Sequence, residues 1–189
     1  MSRLEPANYI WWLASRASGI VALVLITASV ALGLTMASKV VTKRGVRPVL
    51  ARVHEHTALA GLIAIAVHGI TLLGDAWLNP GVKGVLVPFT MGYKPLFTGL
   101  GTIAGYLAVA LGLSFYARRR IGAKLWRKAH RATVVVYALA LVHTLGAGTD
   151  ATSSWLRAFM LATGVPILAL FVARVRPAKA RLQPAREGA

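Results

Sequence analysis

The amino-acid sequence predicts an all-α integral membrane protein, a bundle of five transmembrane helices with the N-terminus outside and the C-terminus in the cytoplasm. Hydrophobic residues make up 57% of the 189 residues and charged residues only 14%, whereas an average soluble domain has about 25% charged residues. Uncharged apolar runs recur along the chain, and most are long enough to cross a bilayer as a helix. The cations collect in alternate connections between these runs, which indicates a direction of insertion.

The predicted spans are separated by four connections, of which the second is long. They are the five uncharged runs Ala17–Ser38, His56–Gly74, Pro95–Ala117, Ala132–Thr149 and Ala158–Ala173. The first run is longer than the apolar core of a signal peptide, so we expect a retained span. The connection Trp77–Lys94 contains two prolines and several glycines and is expected to form an ordered external loop. We expect one membrane domain over residues 1–176 and a disordered basic tail over 177–189.

The orientation follows from the uneven distribution of lysine and arginine. Five cations lie between the first two runs, seven between the third and fourth, and five after the last run, against five on the opposite side. Positively charged loops stay in the cytoplasm, so the two ends of the chain are expected on opposite sides of a cell membrane. The net charge of +17 alone is also typical of nucleic-acid-binding proteins. The apolar composition excludes that class, and no nucleic-acid partner is expected.

The five histidines occur in only two of the five predicted spans or directly before them. They are His54, His56, His68, His130 and His143. Histidine is costly inside a bilayer and is usually functional there. A single buried histidine is explained equally well by an interhelical hydrogen bond, but a group confined to two helices is not. Cysteine is absent, which excludes iron–sulfur clusters and disulfides.

The histidine spacings indicate two sites at two depths. His54 and His68 are 14 residues apart, about 21 Å along a helix and within roughly 40° of the same face. His130 and His143 are 13 apart, at nearly the same two depths, on a span that runs in the same direction. His54 therefore pairs with His130 near the cytoplasm, and His68 with His143 near the outside. Two stacked bis-histidine sites are what two b-type haems require, with the imidazoles as axial ligands of the iron.

Two points complicate this interpretation. Thirteen ideal helical steps leave the second pair roughly 140° out of phase, so that span needs a π-bulge, a kink, or His130 at the frayed start of its helix. His56 competes with His54 as a ligand, although His56 lies about 120° from the face of His68. A surface metal ion at His54 and His56 is a weaker alternative, because no third ligand is clustered with them.

With these residues the sequence resembles the ferric reductase-like transmembrane family. That family includes the haem domains of ferric reductases and NADPH oxidases and the haem-binding membrane subunit of the periplasmic methionine sulfoxide reductase system. The resemblance covers roughly residues 10–173 and depends on the histidine spacings of 14 and 13, and on the stretch before the fourth span that leads into His130. It implies haem b ligation by His54, His68, His130 and His143.

The resemblance also implies a function as an oxidoreductase component that transfers electrons across the membrane. Many relatives have six spans, and full-length oxidases carry flavin and nicotinamide modules, for which no dinucleotide-binding fingerprint is found in this sequence. We therefore expect a separate cytoplasmic-side donor, either a flavoprotein or membrane quinol, so that flavin or quinone chemistry comes through a partner. The expected acceptor is extracytoplasmic, such as ferric iron or a partner redox protein.

Two arginines are candidates for binding the haem propionates, because guanidinium groups form charge-assisted hydrogen bonds with carboxylates. Arg16 lies near the outer end of the first span, and Arg131 follows His130. The alternative is that both arginines only help to set the orientation of the chain in the membrane or contact lipid headgroups. The alternatives for the whole chain are a haem-free structural or transport membrane protein and a quinol-linked cytochrome b of another family.

Overall fold

The computed structural model describes residues 6–38 and 45–175, and these residues form seven α-helices and no strand. The helices are α1 Pro6–Ala37, α2 Val46–Leu72, α3 Gly81–Leu86, α4 Pro95–Ile121, α5 Ala123–His130, α6 Thr133–Ala147 and α7 Ser154–Val175. The all-helical prediction is confirmed. The predicted disordered tail, 177–189, lies outside the described residues.

Four of these helices are long and apolar enough to cross a membrane among the described residues. They are the helices over Tyr9–Ala37, Val46–Leu72, Pro95–Ile121 and Ser154–Val172. Helix α6 covers the predicted fourth span but has only 15 residues, about 22 Å, which is shorter than a hydrocarbon core of about 30 Å. A multi-pass membrane protein is therefore supported, while the fifth span and the orientation of the termini stay predictions.

The helix boundaries differ from the predicted runs mainly at the starts of α1 and α2. Helix α1 begins at Pro6, eleven residues before the predicted start at Ala17. The predicted run begins at His56, but α2 begins ten residues earlier at Val46 and includes two arginines in its first turns. The backbone before it turns at Gly45, which has a φ of 89°, a conformation that suits glycine. His54 therefore lies well inside a continuous helix, so its spacing to His68 is a helical one.

The bundle is built from two closely packed helix pairs. Helices α1 and α2 make the most extensive contact in the described part of the chain, followed by α4 with α6. Smaller contacts join α1 to α6 and α7, and α2 to α4. Interior clusters form where α1 meets α6 and α7, around Tyr137 and Leu156. Many large apolar side chains remain exposed, such as Ile63 at 65% and Leu161 at 67%, as expected for helices that face lipid.

The external loop after α2 is ordered. It contains the short helix α3, and the Thr90 side chain closes the turn after it by donating to the carbonyl of Lys83 at 2.9 Å. Tyr106 on α4 donates its hydroxyl to the carbonyl of Leu86, which fixes the loop on the bundle. The loop thereby covers one end of the space between α2 and α4.

The orientation of the termini can be tested with reporters. A reporter fused after Ala189 is expected to be active only in the cytoplasm, because the connections on that side carry most of the cations. A reporter inserted beside Gly81, which has open surroundings and a φ of 59°, should be active only outside. Paired alkaline phosphatase and fluorescent-protein fusions measure both. The reverse pattern would invert the predicted topology.

Candidate cofactor site

The four histidines that the spacing selects lie in two pairs. The rings of His54 on α2 and His130 at the end of α5 have centroids 6.1 Å apart and are inclined by 88°. The rings of His68 on α2 and His143 on α6 have centroids 6.3 Å apart and are inclined by 73°. The pairing by depth is the one that the spacings predict. His56 is exposed and donates from Nδ1 to the carbonyl of Arg52 in its own helix, at 2.8 Å.

A break between α5 and α6 explains the spacing of 13. Helix α5 ends at His130, and α6 begins at Thr133 after a turn at Arg131 and Ala132. Of the alternatives that the sequence left open, the structure has an interruption of the helix directly after His130. The angle of roughly 140° expected between His130 and His143 on one ideal helix therefore does not apply, because the two residues lie on different helices. Both rings reach their partners on α2.

Three of the four histidines are held by the same kind of contact with a neighbouring helix. Nδ1 of His68 donates to the carbonyl of Ser15 at 2.8 Å, and Nδ1 of His54 donates to the carbonyl of Ser29 at 2.9 Å. Nδ1 of His143 donates to the carbonyl of Phe97 at 2.9 Å. A neutral imidazole that carries its proton on Nδ1 has its lone pair on Nε2, the form that binds a metal.

The serines add a second contact on α1. Ser15 Oγ lies 3.2 Å from Nδ1 of His68, and Ser29 Oγ lies 3.2 Å from Nδ1 of His54. Both serines are about 95% buried. They are 14 residues apart, the same separation as the two histidines on α2. Because α1 and α2 are antiparallel neighbours, the two repeats match at both ends.

A glycine lies one turn after each of these three carbonyls. A Cβ added at Gly19 would lie 3.0 Å from Nδ1 of His68, and one at Gly33 would lie 3.3 Å from Cε1 of His54. A Cβ at Gly101 would overlap the ring of His143. The glycines therefore leave space for the rings. Sequence reasoning missed Ser15, Ser29, Gly19 and Gly33, although the separation of 14 residues within each pair was a visible signal.

His130 is positioned differently. On α4 the carbonyl of Phe97 and the glycine at 101 hold His143. The equivalent positions 14 residues later are Leu111 and Phe115, so a phenylalanine replaces the glycine there. His130 instead stacks on Trp126, with centroids 4.9 Å apart and planes at 26°. Trp126 contacts Phe115 edge-on at 5.8 Å. Nδ1 of His130 is buried and has no hydrogen-bond partner within the described ranges 6–38 and 45–175.

His130 lies outside the helices that are long enough to span, and its electrostatic surroundings favour the neutral ring. Burial lowers the pKa of His130, and the nearby ring of His54 lowers this pKa further. A neutral imidazole is the form that coordinates iron. The backbone carbonyl of Leu111 attracts the ring N–H and raises the pKa, but this effect is the smallest of the three, and the two groups do not reach hydrogen-bond geometry.

Each histidine pair lines its own cavity. The His54 cavity, which contains His54, His130, Gly33 and Gly112 in its wall, has a volume of about 280 Å³. The His68 cavity, which contains His68, His143, Gly19 and Gly101, has a volume of about 540 Å³. Apolar side chains form most of both walls. Arg131 borders the His54 cavity, and Arg16 borders the His68 cavity.

Two acidic residues also border the His68 cavity. Arg16 donates from Nε to Oδ2 of Asp150 at 2.6 Å and from a terminal nitrogen to Oδ1, a two-bond ion pair that joins α1 to the loop before α7. The guanidinium also lies over the ring of Trp12 at 5.1 Å. Asp75 is only 3% exposed and faces the same cavity.

The two pairs fit an iron held by two axial imidazoles. Imidazole nitrogens bind first-row metals at about 2.0–2.1 Å, so one metal between two rings separates their centroids by about 6 Å. The described residues contain no cluster of three or more His, Cys, Asp or Glu side chains that could hold a bare metal ion. Two protein ligands per site are sufficient for a haem, because the porphyrin supplies four further nitrogens. The cavities and the glycines beside the rings fit such a group.

Comparison with known proteins identifies a family over about two thirds of the chain. A family model described as "Ferric reductase like transmembrane component" matches residues 18–141. The matched segment contains three of the four paired histidines, and His143 lies two residues beyond it. No solved structure matches the chain.

The glycine positions can be tested by substitution. We expect Gly101→Ala to lower the haem content of the purified protein from about two to about one per chain, because the new methyl group would occupy the place of the His143 ring. Gly164→Ala is the matched control, because Gly164 lies inside α7 and borders neither cavity. Its Cβ would meet Leu141 at 3.5 Å, an ordinary contact, so its haem content should not change. Equal haem contents in the two variants would contradict the proposed role of Gly101.

Proposed function

The chain belongs to the ferric reductase-like transmembrane component family, and on that premise we propose that it is a di-haem b electron-transfer subunit. Electrons pass from a cytoplasmic-side flavoprotein or quinol to an extracytoplasmic acceptor, either ferric iron or a partner redox protein. The observation that carries this proposal is the pair of matched bis-histidine cavities, with ring separations of 6.1 and 6.3 Å. Haem held by two imidazoles supplies reversible one-electron transfer.

The residues of this chain would hold and orient the two groups. His54 and His130 would bind the iron in the His54 cavity, and His68 and His143 would bind the iron in the His68 cavity. The backbone carbonyls that accept from Nδ1 keep the proton away from the ligating nitrogen and make the imidazole a better electron donor to the iron. The apolar walls exclude water, which keeps the local dielectric constant low around the iron.

The two arginines would bind the propionate groups. Arg16 uses only part of its five N–H donors on Asp150, so donors remain for a carboxylate in the His68 cavity. Arg131 is exposed at the border of the His54 cavity, where a propionate could reach both the guanidinium and the water phase. Both contacts are charge-assisted hydrogen bonds.

The first test is the stoichiometry of haem. We expect two low-spin haems per chain, because each cavity offers two imidazoles at the separation that six-coordinate iron requires. Pyridine haemochrome assays against protein concentration measure the ratio, and the α band of the reduced-minus-oxidised spectrum reports the spin state. A colourless protein without extractable haem would contradict the proposal and favour a structural or transport protein.

The second test separates the two neighbouring histidines on α2. His54→Ala should lower the haem content from about two to about one, because it removes the partner of His130. His56→Ala should leave two low-spin haems, because His56 is exposed and bonds to its own helix. The two substitutions remove the same side chain two residues apart, so each controls for the other. Haem loss in His56→Ala alone would reverse the ligand assignment.

A further inference from the structure

Asp75 has one carboxylate oxygen in use and one that is free. Oδ1 accepts hydrogen bonds from the backbone N–H groups of Trp77 and Leu78, each at 3.0 Å. Oδ2 is buried and has no hydrogen-bond partner among the residues that the structure describes. The side chain is 3% exposed and lines the His68 cavity. A buried acceptor without a partner is unfavourable, and buried polar groups are paired in almost all proteins. The free oxygen therefore indicates a ligand with a hydrogen-bond donor.

The volume of the His68 cavity points in the same direction. Its histidines are separated by almost the same distance as those of the His54 cavity, yet it has 540 Å³ against 280 Å³. The additional wall comes from the end of α2 and from the ordered loop, including Trp77, Val82 and Tyr93. Asp75 belongs to this part of the wall. The His68 cavity thus has room for a second molecule beside the group that its histidine pair would hold.

We propose that this extension binds an aromatic ring that carries a hydroxyl group, of the phenol or hydroquinone class, with the hydroxyl donating to Oδ2 of Asp75. The remainder of the cavity would hold haem, so the inference rests on the proposed function. The chemistry of the wall selects this class. A carboxylate only accepts hydrogen bonds, and the surrounding wall is apolar and aromatic, with the rings of Trp77 and Tyr93 in edge contact at 5.8 Å.

A metal cation fits the extension less well than a hydroxylated ring. Hard cations require several oxygen ligands, and the second acid in the wall, Asp150, has both oxygens bonded to Arg16. No group of three or more His, Cys, Asp or Glu side chains that could hold a metal ion lies within residues 6–38 and 45–175. One buried acceptor in an apolar wall is typical of a small-molecule site, in which a few polar groups orient the ligand.

The test uses 2,3,5,6-tetramethylphenol and its methyl ether, which share a ring but differ in the O–H donor. Both are titrated by equilibrium dialysis, as radiolabelled compounds, against the oxidised haem-loaded protein in lipid nanodiscs. We expect the phenol to bind the natural protein at least about tenfold more tightly than the ether, because only the phenol pairs the buried oxygen. A phenol with a ten-carbon tail identifies the source of the ligand. Tighter binding than the tailless phenol supports a membrane hydroquinone, and weaker binding supports a water-soluble phenol.

The decisive variant is Asp75→Asn. Oδ1 still accepts from Trp77 and Leu78, so the turn is kept and the new NH₂ group must face the cavity. A donor then replaces the acceptor, and the preference for phenol over ether should fall to about one. Duroquinone, which carries only carbonyl acceptors, should bind the variant more tightly than it binds the natural protein. Asp150→Asn is the matched control, and we expect it to keep the preference for the phenol.

The outcomes separate this inference from the proposed function. Two haems per chain with equal affinities for phenol and ether would overturn the inference alone. An unchanged preference in Asp75→Asn would do the same. A colourless protein that still prefers the phenol would support the contact at Asp75 and contradict the haem proposal. Haem content and far-UV circular dichroism of each variant show that the fold is retained.

Discussion

The arrangement of the bundle depends on a hydrogen bond from an imidazole Nδ1 to a helix carbonyl. A helical carbonyl already accepts from the N–H group four residues later, and its second lone pair is normally covered by the side chain of that same residue. Thr27 demonstrates the reach of such a side chain, since its hydroxyl bonds to the carbonyl of Leu23 at 2.6 Å. When the later residue is glycine, the carbonyl becomes open to a ring from a neighbouring helix. Ser15 with Gly19, Ser29 with Gly33, and Phe97 with Gly101 all follow this rule.

This constraint links the packing of the helices to the chemistry of the site. The ring of a bonded histidine cannot rotate freely, because its Nδ1 is fixed and its edge lies against a glycine. Helices α1 and α2 must therefore stay close and in one register, which agrees with their extensive contact. In a bilayer the unsatisfied ring nitrogen would find no water, so the bond matters more there than at a wet surface. The register and the direction of the free lone pair are set by one interaction.

The site of His130 lacks this bond and uses aromatic stacking instead. Phe115 occupies the position at which the repeat on α4 would require glycine, and Trp126 packs between it and the ring of His130. Arg118 lies 3.7 Å above the ring of Phe115 and extends the stack towards the cation-rich connection. Stacking fixes the plane of a ring but leaves Nδ1 without a partner. The two cavities are thus similar in ring separation and different in how their ligands are held.

The sequence by itself determined the helical class, the membrane location and the pairing of the histidines. Apolar run length and the 14-residue spacing are enough for this, because a helix has a fixed rise and rotation per residue. The sequence could not choose how a spacing of 13 is accommodated, since a bulge, a kink and a frayed start all satisfy it. Only the tertiary structure located the break after His130, because the end of α5 is stabilised by Trp126 and Phe115, which come from different helices. The partner of Asp150, the free oxygen of Asp75 and the extension of the His68 cavity were also decided there. Each depends on which loops meet across the bundle, and no local pattern in the chain encodes such a contact.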